Sequence, residues 1–421
     1  IFIFKMKMNI IWWIIIYVWT PQQSGTTYDL ERVFFIDSLH GWVVGTSSSL
    51  KGIILRTQNG GNTWNIIYQN DSLPLHGIWF NDLNEGWAVG GTASPGYYIP
   101  QRILHTTDGG NTWQIQYNNN PNTNGRNATS VQFIGSKGWV GLGGDADSMG
   151  YIIHSEDGGN TWTNQTLNKT AVDILNLHFV NVQKGVACGL WNWAYPYDNS
   201  GGIVFYTNDG GNSWNEGDAW NPGPIAVGFY NDIWMIGDTG YVAGAAYGYQ
   251  LYYVGMIKKT VNGGQTWAIK KSSTPEEGEQ YLGLHFVTPS IGWVGGNGGL
   301  IIYTQDGGNS WLYDNSNTSR AILDIHGVTY QIGGNLKCYL WAVGSYGTIL
   351  HLKVEFVDIS EKNSKIILNK IPNLLHNSTL FIDKNFYLYD IQGKKLKGMN
   401  KSGIYFLKNK KGNKNFKIIK F

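Results

Sequence analysis

The sequence predicts an all-β molecule, a seven-bladed β-propeller followed by a small C-terminal β-sandwich. Three observations carry this reading. An octapeptide closing on Trp recurs six times, a short strand flanked by Gly recurs seven times, and the 421 residues include 56 Gly and 19 Trp. That usage suits many tight turns and differs from the Ala-, Leu-, Glu- and Lys-rich balance of a helical enzyme.

The octapeptides are TQNGGNTW (57–64), TTDGGNTW (106–113), SEDGGNTW (155–162), TNDGGNSW (207–214), TVNGGQTW (260–267) and TQDGGNSW (304–311). Their closing Trp residues are 49, 49, 52, 53 and 44 positions apart, the size of a four-stranded propeller blade. Ahead of them lie GWVVG (41–45), GWAVG (86–90), GWVG (138–141), GVACG (185–189), GYVAG (240–244), GWVGG (292–296) and, without a following octapeptide, LWAVG (340–344). Another apolar strand precedes each, such as VFFID (33–37) and LHFV (177–180). Every unit therefore reads as strand A, Gly-flanked strand B, strand C ending in the box, and strand D starting at its Trp.

The seventh unit stops after strand C at GTILHLKV (347–354), whereas VWTPQQSGTT (18–27) reads as a D strand with no blade of its own. Pairing the two closes the ring and removes two exposed sheet edges. Within the box, paired Gly supplies the positive φ that a tight hairpin requires. The third residue, Asp108, Asp157, Asp209 and Asp306 or its Asn59 and Asn262 counterparts, offers a side-chain oxygen to backbone N–H groups across the turn. Asn keeps the acceptor without the charge, so these six positions are read as structural.

Residues 355–421 hold 14 Lys and 5 acidic side chains, whereas residues 1–354 hold 17 basic and 24 acidic ones and all the Trp. A domain boundary near 354 follows, within the two or three domains this length allows. The overall charge of +2 gives no footing for nucleic acid. Cys188 and Cys338 lack CxxC spacing and are read as buried free thiols, with no metal site implied. Residues 5–8 read KMKM and lead into the apolar run at 10–19. That run is too short to span a bilayer but suits the core of an export signal; residues 1–17 are assigned to such a segment, with a strand over 17–22 as the competing reading.

The octapeptides resemble the Asp box of sialidases, sortilin-type receptors and several glycoside hydrolases. The fuller unit, as in FIDSLHGWVVG (35–45), most resembles the propeller family of photosystem II assembly factors, over residues 18–354. In the tail, IPNLLHNST (371–379), YLYDIQGKKL (387–396), GIYFLK (403–408) and FKIIKF (416–421) resemble the sorting domain of type IX secretion substrates, with Leu374 in place of a Pro. The first resemblance implies a propeller with a scaffold role in protein assembly. The second implies delivery to the cell surface or the medium through export machinery that reads residues 355–421.

Function is sought on the loops. The B-to-C connections of units 2 to 5, GTASPGYYIPQ (91–101), LGGDADSMG (142–150), LWNWAYPYDNSGG (190–202) and AAYGYQLYYVGM (245–256), are longer than those of units 6 and 7, and NEGDAWNPGPIA (215–226) adds a D-to-A loop. The rings on them, Tyr97, Tyr98, Trp191, Trp193, Tyr195, Trp220, Tyr247 and Tyr249, form a candidate surface for a glycan or a peptide. The alternative is that these rings pack on one another to hold the loops down. Asp145, Asp147 and Gly150 have the spacing of a calcium loop, but Met149 stands where an oxygen is needed, and no metal or other cofactor is assigned. His178 and His285 share a strand-A position with Phe34, Trp79, Gln132, Trp234 and Asp324, a mixture read as packing.

The leading reading is an exported, non-catalytic binding protein. One alternative is a secreted glycoside hydrolase, which needs two carboxylates several ångströms apart drawn from Asp145, Asp147, Asp198, Glu216 and Asp218. Another is an assembly-factor-like scaffold for an envelope complex. Five Arg residues, none in a sialidase-type motif, weigh against a sialidase centre.

Overall fold

The computed structural model describes residues 12–14, 18–70, 72–92, 99–118, 127–143, 149–170, 172–191, 200–222, 226–248, 253–358, 386–390, 395–396, 403–409 and 415–420. The chain divides into two compact units, one of Val18–Thr329 with Cys338–Leu352 and one of Ile1–Tyr17, Tyr330–Lys337 and Lys353–Phe421.

The first unit is a seven-bladed propeller built from antiparallel four-stranded meanders in the order A-B-C-D. Blade 1 comprises Asp29–Phe35, Gly41–Thr46, Gly52–Thr57 and Asn65–Asn70, and blades 2 to 6 repeat the plan up to Leu312–Asp314. Blade 7 takes Ile322–Ile332, Asn335–Gly344 and Thr348–Asp358 from the C-terminal side and Thr20–Gln22 from the N-terminal side, with Thr20 opposite His351 and Gln22 opposite Ile349. The expected closure is therefore present.

Its chemistry repeats that of the other D strands. Gln22 accepts from Trp64 Nε1 at 3.1 Å and donates to Gly60 O at 3.0 Å, as Gln165 accepts from Trp214 at 3.2 Å and donates to Gly210 O at 3.0 Å. Trp19 is fully buried and donates to Asp314 of blade 6 at 3.0 Å.

Neighbouring blades are held by a recurring triple of rings. The strand-B Trp of one blade stacks on a strand-A Phe of the next, Trp42 on Phe80 at 3.6 Å, Trp87 on Phe133 at 3.6 Å and Trp139 on Phe179 at 3.9 Å between centroids. The box Trp meets the same Phe edge-on, as Trp113 meets Phe80 and Trp214 meets Phe179. Each ring thus buries a large apolar face in a favourable quadrupole geometry.

The boxes form tight turns held by their own side chains. In the first copy Gly60 and Gly61 have φ of 71° and 86°. Thr112 N donates to Asp108 Oδ1 at 2.9 Å and Thr63 N donates to Asn59 Oδ1 at 2.9 Å. Where Asp108 accepts from the Thr112 hydroxyl, Asn59 donates to the Thr63 hydroxyl instead, so Asn conserves the turn with one bond reversed. The Thr112 N–H, followed by its hydroxyl, holds the exposed Asp108 carboxyl near 2. Cys188 and Cys338 are buried free thiols.

In the second unit, Trp12–Ile14 pairs with residues 356–358, so part of the apolar run assigned to an export signal forms a strand here. The tail strands Phe386–Asp390, Lys395–Leu396, Gly403–Asn409 and Asn415–Lys420 make one antiparallel sheet. Parts of the motifs at 387–396, 403–408 and 416–421 fall on these strands, and the second layer of a sandwich is not among the described residues. No helix among the described residues is long and apolar enough to cross a membrane.

Candidate binding site on the loop face and in the channel

The strands flanking the B-to-C connections of blades 4 and 5 reach further than expected. Strand B of blade 4 continues to Trp191 and strand C begins at Gly201; in blade 5 strand B runs to Gly248 and strand C starts at Tyr253. Trp220 closes a D strand, Asn215–Trp220, instead of sitting in a loop. Continued alternation of ladder partners past the Gly-flanked core extends these strands and lifts their ends toward the loop face.

Three of the eight expected ring residues can be placed. Trp191 lies opposite Gly201, and Trp220 lies opposite Gly202. A side chain at Gly201 would run into the Trp220 carbonyl and the Trp191 indole nitrogen, at 2.2 and 2.7 Å from its Cβ, so Gly there lets the two segments close together. Trp191 is half-buried, with Lys169 Nζ 4.6 Å above its ring, and its own Nε1 has no partner. Tyr247, 37% exposed, faces Tyr253 and Phe229 at 6.1 and 6.3 Å. Tyr97, Tyr98, Trp193, Tyr195 and Tyr249 lie outside the described residues, as do Asp145, Asp147 and Asp198. The two remaining carboxylates proposed for an enzyme are engaged elsewhere: Glu216 pairs with Lys169 at 2.7 Å, and Asp218 binds Lys258 and the Tyr230 hydroxyl at 2.7 and 2.8 Å.

The strand-A position read as packing lines the central channel. Each A strand of blades 1 to 6 carries a β-bulge just before Arg32, Gly77, Ser130, Asn176, Asp232 and Gly283. A bulge re-aims the side chains that follow it, and here it turns polar residues inward. Arg32 Nη1 lies 3.6 Å from Asp324. Asp324 accepts from Val33 N at 2.8 Å, and Asp232 accepts from Leu284 N at 2.6 Å, from Ile233 N and from the Asn176 amide. Burial raises both carboxyls, Asp232 to about 7, against the pull of Arg32. Burial also opposes the Arg32 charge, but Asp324 and Asp232 outweigh it.

One pleat further along comes a ring of flat groups. Centroids are 4.8 Å apart for Phe34 and Trp79, 4.1 Å for His178 and Trp234, 4.4 Å for Trp234 and His285, 4.9 Å for His285 and His326, and 5.0 Å for His326 and Phe34. In blade 7 the ring residue is His326, not the expected Asp324, which lies in the polar layer two residues earlier. Gln132 completes the level by bonding sideways to the Phe179 backbone at 2.7 and 2.9 Å. Burial keeps His178 and His326 neutral, down to about 3, and lowers His285 as well.

At the channel mouth, His76 spans from Glu31 of blade 1, at 2.5 Å, to the Gly91 carbonyl at 2.9 Å. Both ring nitrogens face acceptors. Burial works against a charged His76, and Glu31 more than offsets it. Sequence reasoning overlooked Arg32, Asn176 and Asp232; the available signal was charged or amide side chains recurring at one position of otherwise apolar A strands.

A family model described as photosynthesis system II assembly factor YCF48 matches residues 14–114 and 67–172, which span the closing strand and blades 1 to 3. Among solved structures, YCF48 bound to a D1 peptide is 20% identical with a TM-score of 0.54, over 79% of this chain and 96% of that one. YCF48 from Cyanidioschyzon merolae is 17% identical with a TM-score of 0.54, over 80% and 98%. A GH74 xyloglucanase from Xanthomonas campestris is 12% identical with a TM-score of 0.52, and this chain spans 53% of its length. At these identities the likeness is one of fold. No curated protein matches the chain.

Proposed function

We propose that this chain is a non-catalytic scaffold that holds a segment of another protein on the loop face of its propeller during assembly. The observation that carries the reading is the pairing of an aromatic edge, Trp191, Trp220, Tyr247 and Tyr253, with a polar channel mouth, on one face of a rigid ring. Rings on stiff strands supply contact area at little entropic cost, and a mouth of mixed charge fits backbone and side-chain groups of a peptide. The matched family model and the solved YCF48 complex with a D1 peptide support a peptide or protein ligand over a glycan. Export through residues 355–421 and action at the cell surface or outside it complete the proposal.

The test is a peptide array made from envelope and secreted proteins, followed by affinity measurement on the strongest hits. A peptide bound at least tenfold more weakly by Trp191→Ala and Tyr247→Ala supports the reading, since truncating an interface anchor costs about 1–3 kcal/mol. Unaltered affinity in both variants would refute it. Hits confined to a parallel glycan array would favour the carbohydrate reading instead.

A further inference from the structure

We propose that the central channel is a binding site for one alkylammonium group, caged by Phe34, Trp79, Trp234 and the imidazoles of His178 and His326 beside the Asp232 and Asp324 carboxylates. The site stands apart from the loop-face reading and does not depend on it.

Four observations converge. First, a cavity of about 70 Å³ is lined by all seven of these residues, which leaves room for a group the size of methylammonium. Second, its charges balance only when a proton or a cation is added. Two buried carboxylates face one guanidinium, and Glu31, the other acid acting on Arg32, is taken by His76. A buried surplus negative charge is costly unless a proton or a cation neutralises it.

Third, the walls are aromatic, with neighbouring centroids 4.1 to 5.0 Å apart around the ring, and aromatic walls attract an ammonium ion through the ring quadrupole. Fourth, polar atoms are left without partners here. His178 Nδ1 and Ser130 Oγ both lack hydrogen bonds, in residues only 8% and 4% exposed, and both residues line the cavity. A neutral imidazole nitrogen and a hydroxyl are acceptors for N–H donors. An anion would meet the carboxylates. A multidentate metal is not favoured either, because no group of three or more His, Cys, Asp or Glu among the described residues is placed to hold one.

The amine has two possible sources, a free small amine or a lysine side chain of a bound protein. The full chain, labelled at its indole nitrogens, is titrated at neutral pH with methylammonium chloride, with a capped Gly-Gly-Lys-Gly-Gly peptide and with its norleucine counterpart, each against sodium chloride of equal ionic strength. The expected result is saturable movement of the Trp79 and Trp234 indole resonances with methylammonium and none with sodium, and affinity reduced at least tenfold in Asp324→Asn. Tighter binding of the lysine peptide than of methylammonium, absent for norleucine, assigns the site to a protein lysine; binding of methylammonium alone assigns it to a free amine. If Asp324→Asn does not fold, Phe34→Leu keeps both carboxylates and should weaken the same titration. Equal movement with sodium, or none with either amine, overturns the proposal.

Discussion

The two faces of the propeller are built from the same strands, and one repeats its turn from blade to blade where the other does not. On the box face all six copies repeat one turn bond, from the N–H of the second Gly to the hydroxyl that opens the box, as Gly61 and Gly110 do at 2.8 and 2.9 Å, while the box Trp indoles vary and Trp113 Nε1 and Trp311 Nε1 have no partner. In the channel and at the loop face the seven blades differ from one another, and Trp79 Nε1, Ser130 Oγ, His178 Nδ1 and Trp191 Nε1 have no hydrogen-bond partner. Buried polar groups that a fold leaves unpaired cost about 1–3 kcal/mol each unless water or a ligand answers them. Repetition therefore marks what holds the ring together, and the proposed binding lies where the blades depart from it.

The comparison breaks first at closure. Trp19→Ala removes a fully buried ring and its bond to Asp314, and should cost about 3–5 kcal/mol in chemical denaturation. A smaller loss would mean that Thr20–Gln22 contributes little to the ring. The box face comes next. In Thr57→Val the Gly61 N–H, which donates to the Thr57 hydroxyl at 2.8 Å, is left buried and unpaired, and stability should fall by about 1–3 kcal/mol with ligand binding unchanged.

The channel gives a smaller effect that depends on pH. His178 is neutral in the fold, its value near 3 against an ordinary 6.5, because of burial and then His326. The unfolded chain takes up a proton below about 6.5 that the folded chain refuses, so this contribution is present above that value and is lost as pH falls toward 3. His178→Phe, which installs the residue that blade 1 has at Phe34, should lose about 0.7 kcal/mol less than the parent between neutral pH and pH 6. Asp232 acts in the other direction: raised to about 7 by burial, its contribution is complete below the ordinary carboxylate range and is lost as pH rises through 7. Identical pH profiles for parent and variant would show that His178 titrates freely.

Most of the fold was legible because its signals are local. Spacing of the box Trp residues, the Gly-flanked strands and an unmatched D strand each reflect contacts close in sequence or a missing partner, and blade number and closure follow from them. The channel was not legible for the converse reason. Arg32 and Asp324 are 292 residues apart, and Asn176 meets Asp232 across a blade boundary; only the ring brings them together. In blades 1 to 6 a one-residue bulge decides which side chain turns inward, and no local signal in the sequence announced where it falls. Trp220 was misplaced for a related reason: Asn, Gly and Asp in NEGDAW suggest a loop, but pairing with Gly202 to Tyr206 holds the segment as a strand.

The central claim is that binding belongs to the non-repeating face. Its most direct measurement is the affinity of a selected peptide for two matched sets of variants, Trp191→Ala and Tyr247→Ala on the loop face, and Leu83→Ser and Val261→Ser among exposed residues of the box face. The account predicts at least a tenfold loss, about 1.4 kcal/mol, in the first set and less than a twofold change in the second. Loss confined to the second set would contradict it.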